Sequence, residues 1–138
     1  MAKIRHIAYR ANDVEAMANF FVEALDMTIT QRRTNKAIDL SDGTINITVL
    51  PVRAGAGDEP ERQGIDHIGF SVADDEEAGA RLESAGAIKL GSLPLGSSAH
   101  YELKFRGPEG IVVDLGNWVG TAPIEEVSSK SRRTDGDV

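Results

Sequence analysis

Cysteine is absent from the chain, which removes disulfides, thiolate nucleophiles and every zinc site that needs sulfur. Aromatic residues are scarce, with one Trp, two Tyr and four Phe, so few stacking surfaces exist for a large planar ligand. No apolar run approaches the roughly 20 residues of a membrane span. The opening stretch MAKIRHIAYR carries charges where a secretory signal needs apolar residues, so a cytoplasmic protein without a membrane partner is expected. Basic residues are outnumbered, 15 Lys+Arg against 22 Asp+Glu for a net charge of -7, which disfavours nucleic acid as a partner. Also missing are the G-x-G-x-x-G turn, the Gly-Lys-Ser/Thr phosphate loop, H-E-x-x-H and G-x-S-x-G. A triad of Ser97 or Ser98 with His100 is a weak signal, because such loops are common. What is present, 138 residues with 41% hydrophobic and 27% charged, has the composition of one globular domain acting on a small molecule.

The chain repeats itself. Placing His6 on His67 aligns residues 4–24 with 65–85, and six of those 21 pairs are identical: Ile4/Ile65, His6/His67, Ile7/Ile68, Asp13/Asp74, Glu15/Glu76 and Ala24/Ala85. Each copy opens with a strand of period-two character, at 3–10 and 65–73. A helix follows, capped by Asp13 in the first copy and Asp74 in the second. Val14, Met17, Phe21, Ala24 and Leu25 form the apolar stripe of the first helix, and Ala78, Leu82 and Ala85 that of the second. Gly86 fits the second helix's C-terminal cap. Three short strands then follow in each copy, at 28–34, 36–40 and 44–50 and again at 87–90, 101–106 and 111–115.

The order β-α-β-β-β, twice, predicts an α+β fold in a single domain over 1–119. Its first module is 1–52, its second 65–119, and the Gly-, Pro- and charge-rich 53–64 is the linker. Residues 91–99 read as a long loop over a site. The polar tail 120–138 is expected to be disordered.

Side chains alternate across a strand, so parity assigns faces. Ile7, Tyr9, Ile47, Val49, Ile68, Phe70, Val113 and Leu115 share an aliphatic and aromatic face suited to packing under a helix. The other face carries His6, Arg10, Asn46, Thr48, His67, Glu102, Lys104 and Asp114, with Ala8, Gly69 and Gly116 leaving room beside the histidines. That combination fits a concave ligand surface better than a merely solvated one. Two imidazoles and one carboxylate, His6, His67 and Asp114, suffice to hold a divalent first-row metal and leave coordination positions open. A lone strand histidine is more often structural. The matched positions in a repeat are what favour the ligand reading here.

The strand openings IRHIAYRANDVEAMANFF and IDHIGFSVADDEEAGARL and the ending FRGPEGIVVDLG resemble the vicinal oxygen chelate superfamily, over about residues 3–118. That superfamily includes glyoxalase I, methylmalonyl-CoA epimerase, extradiol dioxygenases and bleomycin-resistance proteins. The resemblance implies two βαβββ modules forming an open, cupped sheet around a metal site, the glyoxalase/dioxygenase-like fold, commonly in a homodimer. It places the metal ligands on His6, His67 and Asp114, the last where the family normally has glutamate. The family's fourth-strand ligand falls near Thr48 or Asn46, neither a good equivalent, so the three-ligand pattern of the dioxygenases remains. Fe(II) or Mn(II) suits the mixed N/O set, with Zn and Ni as alternatives.

The resemblance further implies a general acid or base on the seventh strand, for which Glu102, Lys104 and His100 are the candidates. Arg10, Asn46 and Thr48 are the candidate substrate-binding residues. A metal-dependent enzyme acting on a small anionic or vicinally oxygenated substrate is expected, with slight preference for extradiol-type dioxygenase chemistry. The alternatives are a glyoxalase- or epimerase-type lyase or isomerase and a metal-free, resistance-type binding protein.

Overall fold

The computed structural model describes residues 2–52, 62–93 and 99–118, with the backbone alone at 92–93, 99–102, 117 and 118. The tail, most of the linker, and Ser97 and Ser98 in the expected loop therefore lie outside the described residues, as do the side chains of His100 and Glu102. Two β-α-β-β-β units follow one another: β1 (Lys3–Ala11), α1 (Val14–Leu25), β2 (Thr28–Arg32), β3 (Ile38–Ser41) and β4 (Asn46–Pro51), then β5 (Gly64–Ser71), α2 (Asp75–Ser84), β6 (Ile88–Leu93), β7 (Ala99–Arg106) and β8 (Val112–Trp118). All eight strands form one open sheet in the order β2-β3-β4-β1-β5-β8-β7-β6. The units meet where β1 pairs antiparallel with β5, and each first strand pairs parallel with the last strand of its own unit. Both units of the site-bearing sheet thus come from one chain.

Local chemistry explains the boundaries. Asp13 accepts from the Ala16 backbone N–H and Asp74 from that of Glu77, so each helix begins on a carboxylate that satisfies an otherwise orphaned donor. Asp75, Glu76 and Glu77 fill the first turn of α2, where the helix dipole favours negative charge. After Ala85 closes that helix, Gly86 takes a positive φ of 104°, the left-handed conformation a glycine reaches without penalty. Between β3 and β4, Asp42 accepts from the backbone N–H groups of Thr44 and Ile45. These bonds, that to Ile45 foremost, hold its carboxyl below the ordinary carboxylate range.

Each helix roofs its own unit. Under α1, Ala11, Ala18, Ile38, Leu40 and Val49 are buried, with Tyr9, Val14, Met17, Phe21, Val22 and Ile47 packed around them. Under α2, Val72, Phe105 and Leu115 are buried beside Phe70, Ala78, Leu82, Leu103 and Val113. The expected stripes shift slightly. Ala18 and Val22 take inward positions, whereas Leu25 is 60% exposed and Ala24 and Ala85 are also exposed. These three sit at the C-terminal ends of their helices. Both helices cover the same face, because Ile7 and Ile68 are cross-strand partners at the seam. Residues 91–93, expected in a loop, extend β6 by pairing with β7. No helix is long and apolar enough to cross a membrane among the described residues.

Gly79 admits Phe105 to the second core, since a Cβ there would stand 3.2 Å from the ring. The ring is 1% exposed. Phe105→Ala should therefore cost about 3–5 kcal/mol of stability, read as a lowered urea midpoint. A cost below about 1 kcal/mol would show that the second core does not depend on this ring.

Candidate metal centre

Strand register brings the site together. One row of cross-strand partners runs Ser41, Asn46, His6, Gly69, Asp114 and Lys104, through β3, β4, β1, β5, β8 and β7. The next row places Asp39 opposite Thr48, Thr48 opposite Ala8, and Ala8 opposite His67. Both rows lie on the face away from the helices, since Val113 and Leu115, the neighbours of Asp114, pack under α2.

His6, His67 and Asp114 converge: their donor atoms all lie within 4.8 Å of one another. His67 Nε2 is 3.2 Å from Asp114 Oδ2, and His6 Nε2 is 4.0 Å from the same oxygen. The two rings meet edge to face with centroids 5.2 Å apart. Asp114 is fully buried, and the histidines are only slightly exposed. The His6 ring lies directly over Gly69, where a Cβ would fall inside the van der Waals radii of Cε1, Nδ1 and Nε2. Glycine at 69 is therefore a steric requirement for this ring position.

Three side chains fix the donors from outside. Asp66 accepts from His67 Nδ1 at 2.7 Å, and Arg10 donates from Nε to Asp66 at 3.1 Å and from a terminal nitrogen to the Pro51 carbonyl at 2.9 Å. The His67 hydrogen bond, reinforced by Arg10, holds the Asp66 carboxyl well below the usual carboxylate range despite partial burial. An ionised Asp66 can only accept, so Nδ1 carries a proton and Nε2 is the ring nitrogen left to face Asp114. Two imidazole nitrogens and a buried carboxylate oxygen gathered within 4.8 Å of one another are a donor set that fits a divalent first-row metal ion. On the other side, Lys104 Nζ lies 3.0 and 3.1 Å from the two oxygens of Asp114.

Sequence parity did not reveal Asp66, which alternation assigns to the face opposite His67. The pairing slips between Ala8/His67 and Tyr9/Ile65, leaving Asp66 as the extra residue of a β-bulge, a device that re-aims a side chain. The same slip moves Ile65 to the helix-side face opposite Tyr9. The only legible signal for Asp66 was its place directly before His67.

Of the expected substrate-binding residues, Arg10 and Thr48 are otherwise engaged. Arg10 is bound to Asp66 and Pro51 as above. Thr48 donates to Asp39 Oδ1 at 2.6 Å, and Arg33 grips the same carboxylate with two nitrogens at 2.7 and 3.0 Å. This pairing offsets the desolvation of the fully buried Asp39. Arg32 pairs with Glu15. Asn46 is 1% exposed and its Oδ1 has no hydrogen-bond partner, beside His6 in the row. Of the expected proton-transfer residues, Lys104 is placed on Asp114. Two clefts of about 730 and 630 Å³ lie along α1, and neither is lined by His6, His67 or Asp114.

A family model of the Glyoxalase/Bleomycin resistance protein/Dioxygenase superfamily matches residues 3–115. The chain belongs to this superfamily. Among solved structures, the 2,3-dioxygenase LapB from Pseudomonas sp. KL28 is 19% identical with a TM-score of 0.69, over 88% of this chain and 42% of that one. The chain thus spans less than half of that dioxygenase. A variant of methylmalonyl-CoA epimerase from Streptomyces coelicolor, in complex with 2-nitronate-propionyl-CoA, is 18% identical with a TM-score of 0.64, over 86% and 98%. The epimerase from Mycobacterium tuberculosis is 14% identical with a TM-score of 0.64, over 85% and 88%. At these identities the likeness establishes the fold. No protein of curated function matches the chain by sequence.

Two substitutions test the geometry. Gly69→Ala should displace the His6 ring and weaken divalent-metal affinity about as much as His6→Ala, with the fold retained by circular dichroism. Asp66→Asn should weaken affinity about 10–100-fold by loosening His67. Because the Asp66 pKa is depressed on folding, its contribution to stability is complete at neutral pH. That contribution drains as pH falls below about 4, so the denaturation midpoints of wild type and Asp66→Asn should approach each other in acid. A constant gap across that range would contradict the ion pair.

Proposed function

We propose that this chain is a metal-dependent enzyme of the vicinal oxygen chelate type, holding one divalent ion through His6, His67 and Asp114. The observation that carries the reading is the convergence of two imidazole nitrogens and a buried carboxylate oxygen on one point. A bound divalent ion supplies Lewis acidity, or redox chemistry if it is Fe(II) or Mn(II), to a small substrate that chelates it through vicinal oxygens. Asp66 keeps His67 in the tautomer whose Nε2 can ligate, and Arg10 keeps Asp66 ionised and aimed. Asn46 Oδ1, buried beside His6, accepts a hydrogen bond from a substrate hydroxyl or amide. Thr48, tied to Asp39, shapes the wall rather than contacting substrate. Proton transfer is assigned to β7, to Lys104 Nζ or to Glu102 and His100 on the same strand. With Arg10, Arg32 and Arg33 each paired to a carboxylate, the charge that attracts an anionic substrate comes from the bound ion.

Three protein donors favour extradiol-type dioxygenase chemistry. An epimerase or lyase is the second reading, because the chain matches an epimerase over nearly its whole length but less than half of the dioxygenase. Metal analysis of protein purified without chelator should find Fe, Mn, Zn or Ni, and His67→Ala should abolish tight binding while leaving the fold intact. The loaded protein is then offered catechols, 2-oxoaldehydes, 2-hydroxy acids and acyl-CoA thioesters. Oxygen uptake with a catechol supports the dioxygenase, and α-proton exchange in a thioester supports the epimerase. Protein that takes up no metal would overturn both and leave a metal-free binding protein.

A further inference from the structure

The carboxylate that completes the donor set is already engaged by a cation from the chain itself. Lys104 stands directly opposite Asp114 in the β7–β8 ladder, and its Nζ is within hydrogen-bond distance of both oxygens, 3.0 Å from Oδ1 and 3.1 Å from Oδ2. Oδ2 is also the oxygen toward which His67 Nε2 and His6 Nε2 are turned, at 3.2 and 4.0 Å. Asp114 is fully buried, while the Lys104 side chain is one-quarter exposed. A buried carboxylate requires a counter-charge, and the ammonium supplies it.

A divalent ion ligated by Oδ2 and the two imidazoles would share that oxygen with the ammonium, and two cations on one carboxylate oxygen repel strongly at such a distance. Asp114 cannot move away, being fixed in β8 between Val113 and Leu115, which pack under α2. Lys104 can, because a lysine carries its charge on a flexible four-carbon stem and part of this one already reaches solvent.

We infer that Lys104 is the resident cation of the centre: its ammonium occupies Asp114 until a divalent ion displaces it, so that it sets the metal affinity. Displacement also releases a primary ammonium beside the ion, where it can meet an anionic or oxygenated substrate. The inference rests on the metal reading above and makes Lys104 both a brake on metal loading and a group delivered by it.

The test is the dissociation constant for Co(II) and Zn(II), by equilibrium dialysis, of wild type, Lys104→Met and Lys104→Arg, with thermal midpoints of each protein before and after metal. Lys104→Met, which keeps the stem and removes the charge, should bind at least about tenfold more tightly. Before metal it should melt below wild type, since Asp114 loses its counter-ion, and metal should raise its midpoint more than that of wild type. Lys104→Arg, which keeps a cation, should bind no more tightly than wild type. If wild type binds metal and Lys104→Met binds equally or more weakly, the inference fails and the metal reading stands. If only Lys104→Met binds, Lys104 is never displaced, and both the inference and the metal reading of the wild-type chain are overturned. If neither binds, both fall. Should Lys104→Met not fold, amine-reactive labelling of wild type followed by mass spectrometry decides: metal should increase modification at Lys104, and unchanged labelling in metal-loaded protein overturns the inference.

Discussion

Two half-sheets meet at the antiparallel seam of β1 and β5, and the geometry of the donor set follows from that pairing. The seam puts His6 opposite Gly69 and His67 opposite Ala8, so each histidine faces a small residue of the other unit and the His6 ring lies over Gly69. Parallel pairing of β5 with β8 then sets Asp114 on the far side of Gly69. A one-residue slip would send these side chains to the face under the helices. The hydrophobic pattern forbids that slip, since Ile7 and Ile68 share the roofed face. The two cores thereby position a polar centre on the opposite face of the sheet.

Electrostatics on the open face is organised by internal pairing. Asp39 and Asp114 are both fully buried, on strands of different units, and each has a cation and a strand neighbour arranged around it: Arg33 and Thr48 for the first, Lys104 and His67 for the second. The difference between them lies in the cation. The guanidinium of Arg33 binds Asp39 in a two-pronged fit that is geometrically specific, whereas the lysine ammonium is a point charge on a flexible stem. One unit thus carries a fixed ion pair, and the other an exchangeable one beside two imidazoles.

Much of this was legible in the sequence. The internal repeat groups His6 with His67 and strand parity adds Asp114 to their face, and the three donor atoms do lie within 4.8 Å of one another. The capping aspartates and Gly86 mark the helices through local chemistry alone. Asp66 was not legible, because a β-bulge breaks the alternation from which faces are read. Nor were the commitments of Arg10 and Lys104, since parity gives a side chain's face and not its partner across the ladder. Leu25 misled because helical spacing continues to the last residue of α1, where the side chain is exposed.

His6 and His67, and not His100, are the expected ligands of a divalent ion, through their Nε2 atoms. With only three histidines in the chain, long-range proton–nitrogen correlation NMR of the imidazoles during Zn(II) titration tests this ligand assignment directly. The Nε2 resonances of His6 and His67 should move together to metal-ligated shifts, with Nδ1 of His67 staying protonated and His100 unchanged. Ligation by His100, or a pair of ring signals that ignore the ion, would contradict it.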